Sequence, residues 1–183
     1  MAAFLPPGVV FIPNDEILIG YYLANKNNED LHIFNGAHMI KEMNLYESDP
    51  FELSPASSYS IYNGRHWHWY CFTAKINEER RYCKTGFWKK KGNVCNITNA
   101  DNVVLGTKTL FVFYLGKSPN DSEKTNWTMY EYALVDNPQD GFVLCRIFDC
   151  PIEMNVDNEF GPLSDVDETD CDESYNELEK FSV

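Results

Sequence analysis

Four runs of aromatic and β-branched residues constrain this chain more than any other feature: WHWYCFTA (67–74), TLFVFYLG (109–116), NWTMYEYAL (126–134) and GFVLCRIF (141–148). Such residues suit a pleated, half-buried surface. Turn-forming stretches bound them, KSPNDSEK from Lys117 and DNPQDG from Asp136. Connections this short join antiparallel neighbours, so the pattern predicts a twisted antiparallel β-sheet. Ahead of it, NDEILIGYYLANK predicts a short helix. Asn14 or Asp15 caps its free N–H groups, and Asp15 and Glu16 suit the positive end of its dipole. Ile17, Leu18, Tyr21 and Tyr22 fall on one apolar face. A second helix is expected over 37–43, ended by ESDPFELSP because a residue before proline avoids helical angles. The fold class expected is α+β, a sheet flanked by a few N-terminal helices.

Charge divides the chain in two. Its 183 residues carry a formal net charge of -13. Residues 150–183 hold eleven Asp and Glu against one Lys, whereas residues 1–149 hold seventeen acids and fourteen bases. The last part has too little apolar surface to offset the entropy of ordering it, so it is expected to be a disordered acidic tail. The domain expected to fold is 1–149. Within it the segment RRYCKTGFWKKKGNVC gathers Arg80, Arg81, Lys84, Lys89, Lys90 and Lys91 with no acid. A charge cluster of this kind fits either a polyanion or a lysine-guarded edge strand. Phe87 and Trp88 inside it read as core anchors.

Other classes find less support. There is no glycine-rich phosphate loop, nucleophile elbow or paired-carboxylate motif, so no enzyme and no cofactor are expected. His66 and His68 share HxH spacing, but Cys71, His32 and His38 make a poor third ligand, and no metal is expected. No positive n-region precedes the apolar start, two prolines interrupt it, and no apolar run is long enough to cross a membrane. The six cysteines form no CxxC pair and are read as reduced thiols.

Between residues 5 and 148 the order of short motifs resembles that of the plant NAC transcription-factor domain. LPPGVVFIPNDEILIGYYL is similar to LPPGFRFxPTDEELVxxYL, MNLYESDPFEL to VDLYxxEPWDL, and HWHWYCF to the EWYFF block. KTGFWKKKG is similar to xxGYWKATGK, YLGKSPNDSEKTNWTMYEYAL to YxGRAPxGxKTxWVMHEYRL, and GFVLCRIF to WVLCRIF. The resemblance implies a nuclear, sequence-specific regulator of transcription. It would dock a basic β-strand into the major groove of double-stranded DNA, as a homodimer, with a variable regulatory tail engaging co-regulators. It implies DNA contacts from Arg80, Arg81, Lys84, Lys89, Lys90 and Lys91, and further ones from Lys108, Lys117 and Lys124. It implies a dimer contact through Leu5, Pro6, Pro7, Gly8, Val10 and Ile17.

Two departures qualify what the resemblance implies. Lys90 and Lys91 stand where the family has Ala and Thr, and Asn93, Val94 and Cys95 replace a basic-acidic-basic triplet. Positive charge is kept but moved upstream, so base readout is expected to change more than phosphate affinity. At the dimer contact, Val10 and Ile17 replace an Arg and Glu pair, which predicts weak mixing with standard members. The alternative function is a diverged interaction module that dimerises or sequesters partners with weak or no DNA binding.

Overall fold

The structure, a computed structural model, describes residues 11–28, 36–53, 59–62, 67–76, 78, 80–135 and 141–149, with backbone alone at 59–62 and 67. Leu5, Pro6, Pro7, Gly8 and Val10 of the opening motif, His32, His66 and the acidic segment 150–183 lie outside these residues.

The predicted first helix is present. Helix α1 runs through an α-helical turn Asp15–Ile17, a π-helical stretch Leu18–Leu23 and a closing turn Ala24–Lys26. Asn14 caps it, its Oδ1 accepting from the Ile17 N–H at 2.8 Å. Leu18, Ile19 and Leu23 are fully buried. At its exit, Asn27 mimics a strand: its Nδ2 donates to the Phe142 carbonyl at 2.9 Å and its Oδ1 accepts from the Phe142 N–H at 2.7 Å.

The expected second helix is a single 3-10 turn, Ala37–Met39, followed by strand β1, Lys41–Glu42. Gly36 enters the turn at φ +82, and Ile40 is already extended. Met39 and Ile40 are both buried.

The other strands are β2 (Tyr59–Tyr62), β3 (Trp67–Ala74), β4 (Arg80–Tyr82), β5 (Gly86–Thr98), β6 (Val104–Ser118), β7 (Asp121–Leu134) and β8 (Phe142–Asp149). They form one curled sheet in the order β1-β3-β8-β7-β6-β5-β4, with β2 also on β3. The pairing is antiparallel except for β1 on β3, so the sheet is mixed. All four runs expected to be strands are strands, and the α+β class holds.

Register fixes which residues share a face, because directly paired residues point the same way and successive ones alternate. One face carries the row Lys108, Tyr132, Leu144 and Phe72. Helix α1 packs there, in a core with Phe11, Tyr70, Tyr132 and Leu144. Gly106 permits the approach: a Cβ there would collide with the Ala133 carbonyl oxygen and press on Ile19 Cγ2 at 3.1 Å. Leu45, Leu53, Trp69, Trp88, Phe111, Phe113, Met129 and Ile147 fill the opposite face. Two apolar layers thus hold the sheet rigid, each buried large side chain contributing about 1.5–3 kcal/mol.

Candidate nucleic-acid interface

The basic segment forms β4, a tight turn and the start of β5. Cys83 N–H bonds the Gly86 carbonyl at 2.8 Å to close the turn. Asp49, 1% exposed, holds it from below, accepting from the Thr85 N–H at 3.1 Å and hydroxyl at 2.8 Å. Trp88 and Phe87 are buried anchors, Trp88 edge-on to Phe113 and Phe87 stacked on Tyr114.

Three of the cations expected to meet DNA are engaged by carboxylates instead. Arg81 is buried. Its Nη2 donates to Glu131 Oε1 at 2.9 Å and to the Ile76 carbonyl at 2.8 Å, and its guanidinium lies 4.1 Å above the Phe111 ring. Nη1 also comes within 2.8 Å of Glu131 Oε2, yet neither atom has a hydrogen-bond partner, so that contact is electrostatic attraction without good direction. Burial pushes the Glu131 carboxyl above its usual range, and the Arg81 charge opposes this only in part. Arg81 is therefore a buried ion-pair partner in this structure and not a free cation. Alternation along β4 puts it on the core face, opposite its neighbours Arg80 and Tyr82.

Lys84 is exposed, but its Nζ sits 2.9 Å from Glu52 Oε2, and that hydrogen bond holds the carboxyl below and the ammonium above their usual values. Lys108 meets Asp15 Oδ2 at 2.8 Å, over the Tyr130 ring, and the same carboxylate accepts from the Tyr132 hydroxyl at 2.7 Å. It ties α1 to the sheet, so Lys108 too is not a free cation in this structure.

The remaining six, Arg80, Lys89, Lys90, Lys91, Lys117 and Lys124, make no ion pair among the described residues. Five of them cluster. Arg80 is the direct register partner of Lys89, two like charges facing each other across adjacent strands. Such a pair destabilises the sheet unless an anion screens it. Lys89 and Lys91 lie on that same face, each ammonium 5.7 Å from the Tyr114 ring. Lys124 is the register partner of Tyr114 and joins them. Lys90 alternates to the other face, at the end of a row through Phe111, Met129 and Ile147. The two faces communicate at the margin, where Arg80, Lys89, Lys90 and Gly92 line a recess of about 200 Å³. Lys117 is exposed in the irregular stretch between Leu115 and Ser118.

Beyond β4 the outer edge of β5 has no strand beside it among the described residues. Between Lys91 and Cys95 its register against β6 shifts. Gly92 makes that bulge at φ +62 with open space where a Cβ would point. A narrow strand margin with cations on both faces has the size and charge to enter a major groove, which admits a β-element. Sequence reasoning missed Tyr82 and Tyr114, which flank Phe87 on the cationic face. Alternation within β4 would have found Tyr82; Tyr114 needed the register between β5 and β6.

His68 is buried, its Nδ1 accepting from Arg146 Nε at 3.3 Å. Among the described residues no three His, Cys, Asp or Glu are grouped to hold a metal. Cys71, Cys83 and Cys145 are free, whereas Cys95 is disulfide-bonded, which corrects the reading of all six as reduced. Burial, reinforced by Asp49, pushes the Cys83 thiol up to about 12.

Comparison with known proteins shows which family the chain belongs to. The family described as "No apical meristem (NAM) protein" matches residues 6–134. NAC domain-containing protein 71 of Arabidopsis thaliana is 38% identical over 157 residues, covering 78% of this chain and 58% of that protein. NAC domain-containing protein 96 of the same plant is 36% identical over 155 residues, with 78% and 51% covered. NAC domain-containing protein 40 is 34% identical over 145 residues, with 77% and 41% covered. The chain belongs to this family of NAC domain proteins. It spans about half the length of the curated relatives it matches.

Proposed function

We propose that this chain is a nuclear regulator of transcription that binds double-stranded DNA sequence-specifically, inserting the β4–β5 margin into the major groove. One observation carries the reading. In a chain of net charge -13, Arg80, Lys89, Lys90 and Lys91 stand together on a rigid margin and meet no carboxylate among the described residues. Lys124 and Lys117 extend the contact along the phosphates. Residues 1–149 form the DNA-binding and dimerisation domain, and the acidic segment 150–183 engages co-regulators. The dimer forms through Leu5, Pro6, Pro7, Gly8, Val10 and Ile17. Ile17 is 45% exposed with Ile12 at 49% nearby in sequence, apolar area suited to a second copy. Mixed with a standard family member carrying the Arg and Glu pair, it should give few mixed dimers by native mass spectrometry.

Selection from a randomised duplex library at two salt concentrations tests the reading, with strong enrichment of one site expected. Changing Lys89, Lys90 and Lys91 together to Ala should weaken binding and lower the log–log salt slope by about 0.9 per lost phosphate contact. The loss of Arg81, Lys84 and Lys108 as free cations favours a second reading, an interaction module without useful DNA affinity. Weak, unselective binding erased by salt would establish it.

A further inference from the structure

We infer that the acidic segment 150–183 docks on the cationic face of its own sheet and competes there with DNA. The first step is positional. Phe148, Thr128, Val112, Lys89 and Arg80 are successive register partners across β8, β7, β6, β5 and β4. They form a single row on one face. β8 ends one residue later, at Asp149. The chain therefore leaves the sheet level with Lys89, three strand spacings away, or roughly 14 Å at about 4.8 Å each. Had β8 run the other way, the tail would have left from the end of the sheet that α1 covers.

The second step is charge. Eleven acids and one Lys follow Asp149, and six of the acids fall within 165–173: Asp165, Asp167, Glu168, Asp170, Asp172 and Glu173. With the Cys95 disulfide reduced, a coil of the sixteen residues from Asp149 to Asp165 would have a root-mean-square span of roughly 20–24 Å. That exceeds the roughly 14 Å to the Lys89 row without being far longer, so tethering keeps the effective concentration of these acids high there. Thr128 and Val112 lie between and carry no charge to repel the segment. Glu131, the carboxylate of β7 closest to the basic segment, is buried on the opposite face and spent on Arg81. The facing pair Arg80 and Lys89 gains from any anion placed between them. Only the competition with DNA rests on the function proposed above; the docking does not.

The test uses the full chain and a full-length variant with Asp165→Asn, Asp167→Asn, Glu168→Gln, Asp170→Asn, Asp172→Asn and Glu173→Gln. Lysine acetylation rates are read residue by residue by mass spectrometry. At about 0.05 M salt, Lys89, Lys90 and Lys91 should react several-fold more slowly in the wild type than in the variant. At about 0.5 M salt, where exposed charges are screened, the difference should vanish, with exposed Lys41 unchanged throughout. The wild type alone gives a second reading through release of protection by salt. Equal rates would overturn the docking, and so would protection that grows with protein concentration, which would place the tail of another copy on the face. Duplex titration then reads the competition. If the segment occupies the face about nine-tenths of the time, neutralising it should tighten binding about tenfold. Protection without duplex binding in either protein would leave the docking standing and remove the DNA reading.

Discussion

The end of the sheet covered by α1 and the β4–β5 margin use cations in opposite ways. Under the helix, Lys108 meets Asp15 and Lys26 meets Glu42, both at 2.8 Å, and each pair joins α1 to the rest of the fold. At the margin, Arg80 faces Lys89, and Lys90 and Lys91 follow with no carboxylate among the described residues. The first arrangement lowers the energy of the folded chain by itself. The second raises it, and is relieved only by an anion from elsewhere. Residue type is the same in both places; what faces each side chain decides whether it is structural or available.

Arg81 stands at the boundary and gives the sharpest test. It is one residue from Arg80 but points into the core, where Glu131 takes both its charge and a hydrogen bond. Arg81→Ala should cost about 3–5 kcal/mol in denaturant unfolding, because Glu131 is left buried and unpaired. The double change Arg81→Met with Glu131→Leu should recover most of that, since apolar residues replace a pair whose desolvation is expensive. A small loss for the single change would mean that Arg81 can swing out, and the line between the two kinds of cation would blur. Glu131 also sets a pH dependence. Burial raises its folded-state pKa above that of the unfolded chain. Its contribution is therefore complete below the ordinary carboxylate range and is lost as pH rises through the raised value. Wild-type stability should fall across that window relative to Glu131→Gln, measured by denaturant midpoints at successive pH.

Most of the architecture was legible in the sequence because it rests on local signals. Aromatic and β-branched runs between turn residues located β3, β6, β7 and β8, and Asn14 with Asp15 located the helix start. The expected helix over 37–43 failed because one parallel pairing with β3 overrode local preference. Strand β5 was foreseen only through the family motif; its lysines and glycines carry little β-propensity, and its place between β4 and β6 comes from register. The site was legible as a cluster of charge but not as a set of contacts. Strand alternation sends Arg81 and Lys90 to the face opposite Arg80, Lys89 and Lys91. The carboxylates that claim Arg81, Lys84 and Lys108 come from 50, 32 and 93 residues away in the chain. No window along the sequence contains such partners.

Asp15 tests the paired end more gently. It receives Lys108 and the Tyr132 hydroxyl together, on side chains only partly exposed. Asp15→Asn removes the charge and puts a donor where two donors already point. A loss of about 1–3 kcal/mol is expected, the usual cost of stranding a half-buried polar partner. Duplex affinity should change little, because Lys108 is engaged at the helix and not at the margin. A clear rise with unchanged stability would move Lys108 back among the DNA contacts, since losing the Asp15 carboxylate frees its ammonium.

Lys89→Glu tests the other end and should have the smallest effect on stability, with the opposite sign. The introduced carboxylate would face Arg80 across the β4–β5 pair, turning a repulsion into an attraction. Opposite charges directly across two strands contribute about 0.2–1 kcal/mol, so the unfolding midpoint should rise slightly. The same change removes one cation from the margin and adds an anion where phosphate is expected, so duplex binding should weaken sharply and its salt slope flatten. A chain that becomes more stable while losing its ligand is what an anion-binding margin predicts. Lysines that merely guard an edge against pairing predict the same small rise in stability but no loss of duplex binding, since glutamate guards an edge as well.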